Sequence, residues 1–251
     1  MPKRSCSVFL FTALLCAQEP QMVLIPASKC TVNDSISHEE VHKPDVAPFR
    51  IAKTPVTNAE YLVFVKETGH PPPRSNSVGS SAHLWSDGGF PEAIANHPVV
   101  NVSWNDATAY AQWLAKKTGK PYRLPTEEEW EAAARVGLNG KPYPWGDSID
   151  RNKAWYGQKW NGLDTIKPAD FGAPNPFGLH GMAGNVWQWT ADWYVPTFNG
   201  RPVTEEMHLY RVIRGGSWAN DEDFLKVNYR NFHPPDFKDF FVGFRLAMSA
   251  N

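Results

Sequence analysis

The sequence predicts a single domain of mixed helices and strands in which turns and loops carry much of the chain. Three observations lead there. The 251 residues include 18 glycines and 22 prolines, which interrupt regular structure at short intervals, and 11 tryptophans, which supply large rings for a core. Three segments share one helix-start pattern, and several short apolar stretches read as strands. No repeat, low-complexity stretch or linker divides the chain. Hydrophobic residues at 42% and charged residues at 20% exclude disorder.

The elements follow in order. Lys3 and Arg4 precede an apolar run from Val8 to Leu15, interrupted only at Thr12 and Ala13, and Cys16-Ala17 lead into polar Gln18-Glu19-Pro20. A short positive segment, a brief apolar run and a small residue read as a secretory signal over residues 1–17, leaving a domain over 18–251. The run is too short to cross a bilayer as a helix, and no later segment of the mature chain could. Leu15 before Cys16 is bulkier than a lipid-attachment site takes, so simple export, to the periplasm or the exterior, is favoured over a lipoprotein. Of Cys6, Cys16 and Cys30, only Cys30 would survive cleavage, and it could form no internal disulfide.

Met22 to Lys29 reads as a strand, and Val41 to Lys53 as another broken by prolines. Thr57, Ser103 and Thr126 then open three helices. Each hydroxyl can accept from a first-turn N–H, with Glu60, Asp106 and Glu129 three residues on to reach back to the cap. Apolar residues three and four apart follow, and Gly69, Gly119 and Gly137 mark the stops. Residues 138–181 have no period and read as packed loops. Residues 184–194 and 211–218 contain strand-like stretches rich in Trp and Val, and Phe241 to Ala247 reads as a final buried strand.

Composition narrows the function. With 25 Lys and Arg against 26 Asp and Glu, the net charge is −1, and the aromatics are not interleaved with basic residues, so a nucleic-acid partner is not expected. His38-Glu39-Glu40-Val41-His42 matches a zinc-protease pattern, whose chemistry needs a helix. Pro44 and Pro48 argue for extended chain, which holds the two imidazoles roughly 13 Å apart, too far to share a zinc. Glu127-Glu128-Glu129 is explained by a helix N-terminus, which favours negative charge. His180 and His233 read as hydrogen-bonded structure. No nucleophile elbow, phosphate loop or dinucleotide fingerprint is present.

A set of motifs in fixed order carries a resemblance. They are Pro55-Val-Thr-Asn58, His97 to Trp104, Arg123 to Trp130 with Ala132 to Arg135, Tyr143-Pro-Trp-Gly146, Gly178 to Trp189, Arg211 to Trp218, and Gly243 to Ala247. Over about residues 22–247 the chain resembles the formylglycine-generating enzyme, or sulfatase-modifying factor, family. The resemblance implies an α+β domain, that family's variant of the C-type lectin fold, with much irregular structure. Members of the family oxidise a substrate cysteine with copper(I) held by two thiolates, a soft-ligand site. The matching positions here are Asn220 and Leu225. Neither supplies a thiolate, so copper and formylglycine-generating activity are not expected. The family also implies calcium. The carry-over places Gly184 and Val186 as carbonyl ligands and Gln188 at a carboxylate position, with a second site near Asn152 and Asn161. Gly181 and Gln188 replace an Asn and a Glu, which weakens a hard oxygen site.

Two readings of function follow. One is a binding or accessory module for a small molecule or a peptide or protein, with Trp187, Trp189, Ser217, Trp218, Asn220 and Arg230 lining the site. The other is an exported oxidase with a different site, of the type that matures a siderophore chromophore, for which His233, Asp221 and Asp223 are the nearby groups. The related iron-dependent sulfoxide synthases take their histidines from a further helical domain that this chain lacks room for. An exported paralogue of the modifying factor without the cysteines is the remaining likeness.

Overall fold

In a computed structural model the described residues are 19–29, 32–33, 40–42, 45–75, 85–86, 89–138, 140–194 and 209–250. The proposed leader and Cys30 therefore lie outside the described residues, as does His38 of the protease-like pattern. Its partner His42 ends a strand, as the prolines required.

The chain opens with short strands: β1 (Met22–Ile25), β2 (Ser28–Lys29), β3 (Val32–Asn33), β4 (Glu40–His42), β5 (Asp45–Val46) and β6 (Phe49–Ala52). Helices α1 (Asn58–Thr68), α2 (Trp104–Thr118) and α3 (Glu127–Arg135) follow. Thr57, Ser103 and Thr126 are their N-caps, each closed into a reciprocal box by Glu60, Asp106 and Glu129. Gly69 and Gly119 take the left-handed C-cap position. The third stop differs from expectation by one residue: Val136 takes the left-handed turn at φ 53°, ahead of Gly137.

No regular element was expected over residues 138–181, and among the described residues none forms. After it come β7 (Trp187–Trp193), β8 (Arg211–Arg214), β9 (Arg230–His233), β10 (Val242–Phe244) and β11 (Ala247–Ser249). The tail is thus two strands, not one. β10 runs parallel to β7 in a sheet ordered β10-β7-β8-β9, while β11 crosses to pair with β6 in the sheet β1-β6-β11. Arg245 and Leu246 make the transfer, and both are buried.

Rings fill the space between helices and sheet. Tyr61 of α1 stacks on Tyr110 of α2 at 5.6 Å, and Phe244 of β10 meets both edge-on. Trp187 and Trp189 extend this core beneath β7. Trp130 of α3 anchors a second cluster with Ile51, Phe49 and Leu179. Charged pairs cross the seams. Glu131 of α3 binds Arg214 of β8, both with no exposed surface, and also accepts from Arg135 at 2.8 Å. Glu127 binds Arg230 of β9 through two bonds of 2.7 and 2.9 Å. The acidic run at the start of α3 therefore does more than complement a helix dipole: it ties α3 to the sheet.

Candidate functional site

The site grows from the end of β8. Gly215 and Gly216 follow with φ of 101° and 73°, and these glycines turn the chain out of the sheet. The Ser217 N–H and hydroxyl both donate to Asn220 Oδ1, at 2.9 and 2.7 Å, and the Asn220 N–H returns to the Ser217 carbonyl. Two flanking loops clamp this turn. The Trp218 N–H donates to the Asn185 carbonyl, while Gly157 and Gln158 donate to the carbonyls of Asn220 and Trp218 at 2.7 and 2.8 Å.

The second clamp brings Trp160 over the turn. Its ring lies 5.9 Å from Trp218 and 5.1 Å from Phe240, and Trp218 stacks on Phe240 at 5.4 Å. Trp218 is only 3% exposed, whereas Trp160 is 39% and Leu163, on the same loop, 37%. The arrangement is a small aromatic surface with Trp160 as its open face and a rigid polar turn behind it. It offers ring contact and a cation–π face to a ligand.

Each residue expected at the site can now be placed. Asn220, which the resemblance matches to the first copper cysteine, is spent on holding Ser217. Leu225, at the second, is fully buried with Tyr143, Tyr156 and Ala183. Ser217 and Trp218 do belong to the turn. Trp187 and Trp189 are core residues, the latter donating to the Val102 carbonyl at 3.0 Å. Arg230 is buried and held by Glu127, which turns it into a brace for α3. Asp221 caps the turn of 3-10 helix Glu222–Leu225, and Asp223 pairs with Lys226 at 2.6 Å. His233 stacks on Phe237 at 3.8 Å, and His180 bonds the Gly172 carbonyl at 3.1 Å. Among the described residues no three His, Cys, Asp or Glu side chains converge in a way that could hold a metal.

The residues expected to bind calcium divide. Asn152 and Asn161 are exposed on the 150–165 loops. Gln188 is fully buried: its oxygen accepts from Trp130 Nε1 at 2.8 Å and Arg245 Nε at 2.5 Å, and its amide donates to the Gly181 carbonyl at 2.5 Å. Arg245 has the remaining bonds of its guanidinium on the carbonyls of Ala52, His180 and Gly181. Burial pushes its pKa down to about 9, still cationic at neutral pH. A divalent ion at the Gln188 oxygen would meet this guanidinium with no carboxylate between them, so these residues do not fit calcium at Gln188.

Trp160, Leu163 and Phe240 were missed. The available signal was Lys159-Trp160-Asn161-Gly162: a tryptophan set against a turn dipeptide in an aperiodic stretch has little chain on which to be buried. A cavity of about 380 Å³ lies elsewhere, lined by residues including Glu19, Lys53, Glu60 and Asp170, and shares no residue with the turn. Its carboxylate Glu60 is committed to the Thr57 cap.

Two titrations near the sheet oppose each other. Burial pushes His233 down to about 4, so the folded chain resists its protonation. Burial, with Glu127 and Glu128 close by, pushes Asp192 up to about 7, while its Oδ2 accepts the Glu127 N–H at 2.6 Å. As pH falls from 6.5 towards 4, the unfolded chain binds a proton at histidine that the folded chain refuses, and stability is lost. Over about 7 down to 3.8 the folded chain keeps the Asp192 proton that the unfolded chain releases, and stability is gained. These two contributions to the denaturation midpoint should therefore largely offset each other in this window. Asp192→Asn should expose a fall on acidification and His233→Gln a rise; parallel curves for both variants would contradict the assignment.

Comparison with known proteins gives the family and the fold. The model of the family described as sulfatase-modifying factor enzyme 1-like domain matches residues 12–250. The formylglycine-generating enzyme of Streptomyces coelicolor is 36% identical, over 84% of this chain and 81% of its own length. The inactive C-alpha-formylglycine-generating enzyme 2 of Mus musculus is 32% identical, over 93% and 87%. Among solved structures, PvdO from Pseudomonas aeruginosa superposes with a TM-score of 0.76 at 29% identity, covering 94% of this chain and 96% of its own. The chain belongs to the sulfatase-modifying factor family. Its fold is the formylglycine-generating-enzyme variant of the C-type lectin fold, in a single domain.

Proposed function

We propose that this chain is an exported binding or accessory module that has lost the copper chemistry of its family and uses the Trp160–Trp218–Phe240 surface to hold a small molecule or peptide. One observation carries the reading: the two positions that hold copper in active members are an asparagine committed to the Ser217 turn and a fully buried leucine. The resemblance to the inactive mouse relative is in keeping with it. Export, to the periplasm or the exterior, rests on the Lys3-Arg4 and apolar leader and is read from the N-terminus of the mature protein, expected at Gln18. A ligand screen read by indole fluorescence should yield binders that Trp160→Ala weakens roughly thirtyfold, the loss of an aromatic hot spot of about 2 kcal/mol. Binders indifferent to that substitution would place the site elsewhere.

The likeness to PvdO across nearly the whole of both chains favours a second reading, an oxidase of the siderophore-maturation type with a site of its own. His233, Asp221 and Asp223 do not converge, so the reading has no constellation of residues behind it. Stoichiometric copper or iron in protein purified without an affinity tag would move the argument to it.

A further inference from the structure

We infer that Asn161 is a site of spontaneous deamidation and isoaspartate formation, placed where the modification alters the aromatic surface. The chemistry needs an exposed asparagine amide followed by a residue whose backbone nitrogen can reach it, and glycine permits that approach because it has no Cβ. Asn161-Gly162 meets each condition. Both residues are exposed, and Gly162 has φ 72° with nothing within 4 Å of where a Cβ would stand.

The ends of the turn are fixed while the reacting atoms are not. The Asn161 N–H donates to Thr165 Oγ1 at 2.6 Å, and the Gly162 carbonyl accepts from the Thr165 N–H at 3.2 Å. Among the described residues no hydrogen bond engages the Asn161 side-chain amide or the Gly162 N–H. Three buried asparagines are held instead, while Asn139 and Asn199, which also precede glycines, lie outside the described residues. Asn58 bridges Trp85 and the Ile94 carbonyl, Asn175 bonds Ala133, Phe177 and Leu179, and both side-chain atoms of Asn185 bond the Lys167 backbone. In the reaction the Gly162 nitrogen attacks Asn161 Cγ, the bond from Cγ to the amide nitrogen breaks, and ammonia leaves with the proton of the Gly162 N–H. Water then opens the cyclic imide at either carbonyl, giving aspartate or isoaspartate. The product adds a negative charge next to Trp160 and, in the isoaspartate, an extra backbone methylene that displaces that ring. The effect on ligand binding rests on the function proposed above; the modification does not.

The test is incubation of the full chain at neutral and mildly alkaline pH, followed by peptide mapping with isoaspartyl methyltransferase labelling. Isoaspartate is expected at residue 161, accumulating faster at the higher pH. Asn161→Gln should abolish it, and Gly162→Ala should slow it on the order of tenfold, since alanine resists positive φ and shields its nitrogen. An Asn161 that converts no faster than Asn58 or Asn175 in the same sample would overturn the inference. If residue 161 converts but ligand affinity does not change, the modification stands and the binding site is the part that fails.

Discussion

Glu131→Ala is expected to lower the unfolding free energy by about 3–5 kcal/mol, the cost of stranding a buried charge. Glu131 and Arg214 are both without exposed surface, and the guanidinium would be left with the Val227, Asn228 and Tyr229 carbonyls at 2.9, 3.4 and 3.2 Å. Among the described residues Arg214 Nε has no hydrogen-bond partner even now. Against a typical total of about 5–15 kcal/mol, that loss is large. The half-exposed Lys117–Glu67 pair, by contrast, contributes under about 1 kcal/mol. Glu131→Gln, which keeps a hydrogen-bond acceptor but not the charge, should fall between wild type and alanine. Denaturant midpoints with unchanged slopes report the difference, and a loss below about 1 kcal/mol would contradict the pairing.

Gly216→Ala is expected to destabilise by roughly 2–5 kcal/mol and to disorganise the site as well. A Cβ there would lie 2.9 Å from the Phe224 carbonyl and 2.7 Å from Leu225 Cδ1, on a residue held at φ 73°. The left-handed conformation costs about 1–2 kcal/mol for an alanine, and forced repacking adds about 1–3. Relief requires the 222–225 turn to retreat, and Ser217 must move with it. Ligand affinity should therefore fall together with stability, whereas Trp160→Ala should lower affinity and leave stability within about 0.5 kcal/mol. A Gly216→Ala chain as stable as wild type would contradict the close approach.

Local grammar explains which features were legible in sequence. The three helices were readable because a hydroxyl, an acid three residues on and a glycine stop all act within one segment. The turn after Gly215-Gly216 was readable from its motif, and with it the places of Ser217, Trp218 and Asn220. Arg214–Glu131 and Arg230–Glu127 join residues 83 and 103 positions apart, and nothing near either arginine names its partner. Arg230 therefore looked like a ligand group when it is a brace. The tail looked like one strand because Phe241 to Ala247 is apolar apart from Arg245. Only the two sheets it joins, through β7 and β6, reveal the break at Arg245. Trp160 was only partly legible for a related reason: the turn dipeptide after it hints at exposure, but its place over Trp218 follows from the Gly157 and Gln158 bonds to the turn.

The central claim is that positions 220 and 225 have exchanged copper chemistry for structure. It is tested most directly by supplying the full chain with copper(I), oxygen and a cysteine-containing sulfatase peptide, and following the peptide by mass. No formylglycine is expected, and the chain should bind no copper at these positions. Conversion of the peptide above the rate seen with copper alone would contradict the claim.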